Sequence, residues 1–180
     1  MKKEDLKNKD TKDRVKNTIP DIQIKDNFFS KKEFSILLSN IHSIPYESQN
    51  NLAGNFGFRH QFKKNSENNW IFNKIKKHFF PNLDLELFES AYHLRHNKAK
   101  PLVHRDPTDY NFILYLEGKE IFYNGTGFYN SEKNLDRYVG FFKNRALFFN
   151  GKKIFHTDLQ ALGKSSPRYT LNIFYTKPKF

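Results

Sequence analysis

Cysteine is absent from the 180-residue chain, which excludes disulfides, thiol nucleophiles and metal sites built on thiolates. No apolar run approaches the roughly 20 residues that a membrane span needs. The first 17 residues are polar and lack the apolar segment of a signal peptide. We therefore expect a soluble, cytoplasmic protein, in which any bound metal is held by histidine and carboxylate ligands.

Arginine is also scarce, with 7 residues against 24 lysines in a chain of net charge +12. A basic surplus can indicate a nucleic-acid partner. Here the charge is spread along the chain, and no segment forms an arginine-rich arm. Lysine, asparagine, phenylalanine and isoleucine have A/T-rich codons, so a genomic composition bias accounts for much of this surplus. The charge is therefore a weak guide to the substrate.

The N-terminal half carries helical patterns. Residues 1–18 have mixed charge and almost no apolar content, which predicts a disordered tail before one domain at 19–180. Ser30 and Glu33 form a capping-box pattern, and the apolar residues that follow recur at helical spacing, which predicts a helix over 31–42. A second helix is predicted from Asn68 or Asn69 to about Phe80. Residues 19–85 are thus expected to be a helical support.

From residue 86 onwards, short aromatic and β-branched runs predict a sandwich or barrel of strands. Asn-Gly pairs at 124–125 and 150–151 mark turns between them. The fold class is mostly β with N-terminal helices, or α+β. The predicted strands are 54–62, 87–95, 102–106, 111–117, 119–123, 127–129, 138–143, 145–150, 154–158 and 168–176.

One set of polar residues stands out on the predicted strands. His104 and Asp106 are two positions apart, so in a strand their side chains face the same side. His156 lies on a later strand, and Arg168, Thr170 and Asn172 alternate with apolar residues on the last one. Two histidines and one carboxylate form a facial triad typical of non-haem iron(II) sites. An inward arginine with a hydroxyl beside it suits a carboxylate ligand.

The order His-x-Asp, His, Arg resembles that of the iron(II)/2-oxoglutarate-dependent oxygenases, in particular the prolyl-4-hydroxylase-like branch. The resemblance covers roughly residues 20–175. Its other parts are the strand-to-helix phrase at 24–34, the glycine turn at 124–129, the strand 145–151 leading to Phe155-His156, and the closing strand 167–172.

The resemblance implies a double-stranded β-helix, that is, a jelly-roll or cupin-like barrel. It implies that His104, Asp106 and His156 bind Fe(II). It further implies that Arg168 holds the C5 carboxylate of 2-oxoglutarate with Thr170 as a helper, and that Tyr92 also contacts this co-substrate. The implied reaction uses O2, converts 2-oxoglutarate to succinate and CO2, and oxidises an unactivated C–H bond, most simply as a hydroxylation.

Two alternatives stay open from the sequence. The same fold acts on nucleic acid in alkylation-repair-type demethylases, and a cupin-like module binds ligands without catalysis. A small molecule or a peptide is favoured over nucleic acid as the primary substrate, and no membrane partner is expected. The segments 49–55 and 129–137 are the expected substrate loops. The sequence does not indicate the oligomeric state.

Overall fold

A computed structural model describes residues 22–51, 54–96, 100–121, 124–158 and 167–179. The tail expected over 1–18 lies outside the described residues. The elements are, in chain order, β1 (Ile22–Lys25), α1 (Lys31–Asn40), β2 (Glu47–Asn51), β3 (Gly54–Gln61), α2 (Asn69–Phe79), β4 (Glu86–Arg95), β5 (Lys100–Pro101), β6 (Tyr110–Gly118), β7 (Thr126–Tyr129), β8 (Leu135–Val139), β9 (Ala146–Phe149), β10 (Phe155–Asp158) and β11 (Arg168–Thr176).

Helix α1 begins at the predicted capping box. The Ser30 Oγ accepts a hydrogen bond from the Glu33 amide at 3.3 Å, and the Ser30 amide donates to Glu33 Oε2 at 2.8 Å. Leu37 on α1 and Ile75 on α2 are buried in the core. Within the described part of the chain, neither helix has the length and apolarity to cross a membrane.

The strands form two antiparallel sheets. The larger sheet has the strand order β1-β9-β6-β11-β4-β3-β2, with β5 paired to β3, and the smaller one has the order β10-β7-β8. A cluster of buried side chains from both sheets fills the space between them, and the rings of Phe128 and Phe149 lie 5.1 Å apart there. This two-sheet sandwich is a jelly roll, so the predicted fold class is confirmed.

The helices cover the opposite face of the larger sheet. The rings of Phe79 and Phe80, at the end of α2, each stack on Phe148 of β9 at 5.3 Å. Because β6 and β9 are buried on both faces, their sequences are almost continuously apolar. The larger sheet therefore has a helix-facing side and a side that faces the interior of the sandwich.

The segment 19–85 contains more than a helical support. Three strands, β1, β2 and β3, also come from it and extend the larger sheet at both edges. Strand β1 pairs with β9, and β3 pairs with β4. Paired in this way, β9 and β4 present no open edge to solvent.

Three of the predicted strands differ in the structure. In the segment 102–106, the strand pairing consists of one isolated bridge between His104 and His156, because the Asp106 amide instead donates to the Gly151 carbonyl at 3.0 Å. Residues 119–121 are not in a strand, since the Ile121 amide donates to the Lys119 carbonyl at 2.9 Å, and 122–123 lie outside the described residues. The strand predicted at 138–143 is β8 (Leu135–Val139), since the chain turns where the Arg145 amide donates to the Phe142 carbonyl.

Candidate active site

Three of the predicted site residues meet at one point. Ligand atoms of His104, Asp106 and His156 all lie within 4.8 Å of one another. His104 Nε2 is 3.6 Å from Asp106 Oδ1, and His156 Nε2 is 3.1 Å from Asp106 Oδ2. The two histidines are held side by side by backbone hydrogen bonds of 3.1 and 2.8 Å across their bridge. Among the described residues, no other group of three such side chains comes together in this way.

A backbone carbonyl at Nδ1 fixes the orientation of each imidazole ring. His104 Nδ1 lies 2.8 Å from the Leu102 carbonyl, and His156 Nδ1 lies 3.1 Å from the Ile154 carbonyl. A carbonyl oxygen only accepts, so Nδ1 carries a proton in both rings, and Nε2 is the nitrogen that faces Asp106. Nε2 is therefore the atom that each ring offers to a metal ion, which binds it in its deprotonated form. This is the tautomer that metal-binding histidines need.

Asp106 is oriented by a short chain of polar groups. Asn111 Nδ2 donates to Asp106 Oδ2, and Thr108 Oγ1 donates to Asn111 Oδ1 at 2.7 Å. Asn111 is 1% exposed. The sequence predicts Asn111 only as the first residue of the strand 111–117, and in the structure its side chain also supports a candidate ligand. The available signal was a polar residue at the buried start of an otherwise apolar strand.

The charge of Asp106 suits a cation site. Burial by itself would raise the pKa of this carboxyl, but the hydrogen bonds and charges of His104 and His156 outweigh that effect and hold the pKa well below its usual range. The carboxylate is therefore ionised at neutral pH. An anionic oxygen and two imidazole Nε2 atoms within 4.8 Å of one another fit a divalent transition metal with open coordination positions.

Gly151 allows the close approach that completes this site. A Cβ at position 151 would lie 2.7 Å from Asn111 Oδ1 and 2.8 Å from Asn111 Nδ2. The Gly151 carbonyl accepts from the Asp106 amide, and its amide donates to the Asp109 carbonyl at 3.1 Å. The backbone at residue 151 therefore packs directly on the side chain that orients Asp106.

Arg168 begins β11 and is 1% exposed. Its Nη1 donates to the carbonyls of Asn124 and Gly125, the second at 2.6 Å, and its guanidinium lies 5.4 Å from the centre of the Tyr115 ring. Gly125 is required there because a Cβ would lie 1.8 Å from the Val139 carbonyl oxygen. The Asn-Gly turn noted in the sequence thus positions the predicted carboxylate-binding arginine.

Thr170 and Asn172 lie on the same face of β11 as Arg168, as their alternation predicted. Thr170 is buried and lies opposite Tyr115 of β6. The Tyr115 hydroxyl is 2.8 Å from Thr126 Oγ1. Tyr115 is a further buried residue beside Arg168, and its place in an apolar run gave no sequence signal of this contact.

The structure does not bring Tyr92 to the other predicted site residues. Tyr92 lies opposite Leu171 on the helix-facing side of the larger sheet, where its ring packs 5.1 Å from Phe62. Burial in that apolar layer raises the pKa of its hydroxyl to about 12. Because successive side chains of a strand alternate between faces, the neighbours that face the sandwich interior are His93 and Arg95.

Comparisons with known proteins agree with this architecture. No protein-family model and no curated protein sequence matches the chain. Among solved structures, a prolyl-4-hydroxylase from Pseudomonas putida superposes with a TM-score of 0.65 at 12% identity, covering 88% of this chain and 94% of that one. A prolyl hydroxylase from Trichoplax adhaerens, in complex with a hypoxia inducible factor peptide fragment, gives a TM-score of 0.66 at 11% identity, covering 87% and 84%.

A third similar structure is HygX from Streptomyces hygroscopicus, with nickel and 2-oxoglutarate bound. Its TM-score is 0.63 at 11% identity, and the match covers 90% of this chain and 85% of HygX. The fold is therefore that of the 2-oxoglutarate- and iron(II)-dependent oxygenases, as the sequence resemblance implied.

Proposed function

We propose that the protein is a non-haem Fe(II)- and 2-oxoglutarate-dependent oxygenase. The observation that carries the proposal is the convergence of His104, Asp106 and His156, with a buried Arg168 on the same side of the fold. The superposition with oxygenase structures supports the fold, and the residues at the site support the chemistry.

In this proposal Fe(II) is held by the Nε2 atoms of His104 and His156 and by the Asp106 carboxylate. The Leu102 and Ile154 carbonyls hold the two rings, and Asn111 holds the carboxylate. Three protein ligands leave coordination positions for the co-substrate and oxygen. When bound, iron and 2-oxoglutarate supply the coupling of oxidative decarboxylation, which gives succinate and CO2, to oxidation of a C–H bond.

Arg168 is proposed to bind the distal C5 carboxylate of 2-oxoglutarate. Its guanidinium is already oriented by the Asn124 and Gly125 carbonyls and by the Tyr115 ring, so little side-chain freedom is lost on binding. In water-poor surroundings a guanidinium and a carboxylate form strong charge-assisted hydrogen bonds. Thr170, the next residue on this face of β11, offers a neutral hydroxyl beside it.

We further propose that the reaction is a hydroxylation and that the primary substrate is a peptide or a small molecule. The Trichoplax adhaerens structure contains a peptide fragment, which supports a peptide as one class to test. The basic residues are spread along the sequence without an arginine-rich segment, which favours these classes over nucleic acid.

The experiment is to measure succinate formed from 2-oxoglutarate with Fe(II), oxygen and panels of candidate peptides and small molecules. Wild type should form succinate with at least one panel, and Asp106→Ala should form none because the metal loses its anionic ligand. Asp84→Ala removes an exposed carboxylate instead and should keep wild-type activity. A wild-type protein that binds neither metal nor 2-oxoglutarate would refute the proposal. Binding of both without turnover on any panel would favour the non-catalytic module.

A further inference from the structure

A basic groove lies beside the smaller sheet. It has a volume of about 260 Å³ and is lined by residues of β8, of the loop that follows β7 and of the turn before β10. Its described lining includes the exposed cations Arg105, Arg137 and Lys153 and a single carboxylate, Asp136. The fold thus gathers at one place positive charges that are far apart in the sequence.

The groove lies behind the candidate metal ligands. Arg105 stands between two of these ligands in the chain, and Phe155 directly precedes the third, His156. Because successive side chains of an extended chain alternate between faces, Arg105 and Phe155 point away from the ligand side. Their contact agrees with this placement, since the Arg105 guanidinium lies 4.5 Å from the centre of the Phe155 ring. One face of the bridge between residues 104 and 156 therefore holds the candidate ligands, and the other face forms a wall of the groove.

The two arginines of the groove are available to a partner. A composition bias that favours lysine, with 24 residues against 7 arginines, does not account for two arginines at one place. Neither Arg105 nor Arg137 forms an ion pair or a side-chain hydrogen bond with another described residue. The remaining arginines of the described residues are buried or paired with a carboxylate, and they are Arg59, Arg95, Arg145 and Arg168.

The lining of the groove suits a carboxylate beside an extended, partly apolar chain. Guanidinium groups bind carboxylates through two parallel hydrogen bonds. Phe155 and Tyr129 lie opposite each other in the pairing of β10 with β7, so their two rings share this face. The Lys133 ammonium lies 5.7 Å from the centre of the Phe155 ring and adds a further cation.

The single carboxylate of the groove distinguishes between anionic partners. Asp136 repels the evenly spaced phosphates of a nucleic-acid backbone. A peptide has amide N–H groups that can donate to Asp136, while its own acidic side chains bind the cations. The groove therefore favours an acidic peptide segment over nucleic acid.

We propose that this groove binds an acidic segment of a peptide substrate at some distance from the residue that is oxidised. This inference rests on the proposed function, because another residue of the same peptide must reach the metal site. An extended peptide spans about 3.3–3.6 Å per residue, so a carboxylate a few residues away can bind in the groove while the oxidised residue enters the site. The loop after β7 belongs to the segment 129–137, which the sequence predicts as a substrate loop. Arg105 and Arg137 are then determinants of substrate specificity.

The first test measures binding by fluorescence anisotropy. One labelled peptide alternates glycine with glutamate, and the second has glutamine in place of each glutamate. Wild type should bind the glutamate peptide about 10-fold more tightly or better, and added salt should weaken this binding. Arg105→Gln and Arg137→Gln should each weaken it about 3- to 10-fold, because each removes one guanidinium–carboxylate contact near solvent. Affinity for the glutamine peptide should stay within twofold of wild type.

Lys76→Gln is the matched control. It removes one positive charge from an exposed position on α2, and α2 covers the opposite side of the larger sheet. This variant should bind both peptides as wild type does. If Arg105→Gln disturbs the ligands on either side of it, Arg137→Gln and Lys153→Gln test the same groove from other elements.

The second test uses peptides that give succinate in the activity panels. Replacing their acidic residues with the matching amides should raise KM about 3- to 10-fold and leave kcat nearly unchanged, because the groove holds the peptide away from the reacting bond. In Arg137→Gln this difference in KM between acidic and amide peptides should shrink. An acidic-to-amide change that alters only kcat would contradict the proposed role of the groove.

Equal affinity of wild type for the glutamate and glutamine peptides would overturn the inference. Equal weakening in Lys76→Gln and Arg137→Gln would overturn it too, because net charge alone would then explain the binding. Tighter binding of a single-stranded oligothymidylate than of the glutamate peptide would assign the groove to nucleic acid instead. These outcomes leave the proposed function standing, since it is tested separately by binding of Mn(II) and 2-oxoglutarate. A protein that binds the glutamate peptide but neither Mn(II) nor 2-oxoglutarate would refute the proposed function and the role of the peptide as a substrate.

Discussion

Gly151 and Asn111 form the contact on which the orientation of Asp106 depends, and the substitution Gly151→Ala tests it. The added Cβ would meet Oδ1, Nδ2 and Cγ of Asn111 at 2.7, 2.8 and 2.9 Å. Ordinary van der Waals contact of a Cβ with these atoms begins at about 3.4 Å, so the amide must move by several tenths of an ångström. Asn111 is buried between Thr108 and Asp106, so this movement displaces the carboxylate.

The expected loss has two parts. Overpacking of a buried site costs about 1–3 kcal/mol of unfolding free energy. Disturbing the group that orients a metal ligand weakens metal affinity about 10- to 100-fold. Both are measurable on purified protein, the first by urea denaturation of the metal-free chain and the second by calorimetric titration with Mn(II).

A double-mutant cycle separates the contact from a general disturbance. Asn111→Ala alone should weaken metal binding, because Asp106 loses its hydrogen bond. In the Asn111→Ala background the methyl group of Gly151→Ala enters vacated space, so the second substitution should cost almost nothing. The two changes should therefore be strongly non-additive, with a coupling energy of about 1–2 kcal/mol. Additive effects, or a Gly151→Ala protein with wild-type metal affinity, would refute this reasoning.

Three further predictions concern the support of the fold. Asn144→Ala should lower the unfolding free energy by about 2–4 kcal/mol, measured by urea denaturation. The reason is that the Asn144 side chain accepts from the buried Phe29 amide at 2.9 Å and donates to the Phe29 carbonyl at 2.6 Å. A loss under about 0.5 kcal/mol would contradict this. Ser30→Ala should lower the melting temperature by about 2–4 °C through loss of the helix cap, whereas an unchanged value would show that the cap adds nothing. The pKa of Asp26 is lowered chiefly by its hydrogen bonds with Arg145, so its contribution to stability is present above the ordinary value of 3.8 and is lost as pH falls through the lower folded value. Asp26→Asn should therefore destabilise the protein at pH 7, and its difference from wild type should shrink below about pH 4; a difference that is constant with pH would count against the pair.

Capping residues and side-chain alternation in the sequence were sufficient to predict the start of each helix and the last strand. The capping box at Ser30 fixes the start of α1, and the alternation after Arg168 gives the bounds of β11 without error. Helix α2 begins at Asn69, as its predicted cap implies. The candidate metal ligands could also be predicted from the sequence, because each lies in or beside a short predicted strand.

The sequence did not show in the same way which side chains of β4 face the interior of the sandwich. The second half of this strand is covered on both faces, one by the helix layer and one by the sandwich interior, so burial alone does not mark the face that carries the site. A shift of one residue exchanges the faces, and Tyr92, which the resemblance assigned to the co-substrate, lies on the helix-facing side. The face to which each side chain of β4 points can be assigned only when the strands and helices that pack against β4 are known.

The support of Asp106 was also hidden, for a different reason. It depends on Gly151, which follows Asp106 by 45 positions in the chain and approaches it only through the pairing of β6 with β9. A contact of that separation leaves no local pattern. The sequence therefore indicated the ligands, and the structure was needed to find what orients them.

The central claim is that one site holds both a divalent metal and 2-oxoglutarate. The most direct test is calorimetric titration of 2-oxoglutarate into the protein with and without Mn(II), for wild type and for Asp106→Ala. The account predicts saturable binding by wild type that is strengthened strongly by the metal, and no such strengthening in Asp106→Ala. Equal binding with and without Mn(II), or no binding by metal-loaded wild type, would contradict it.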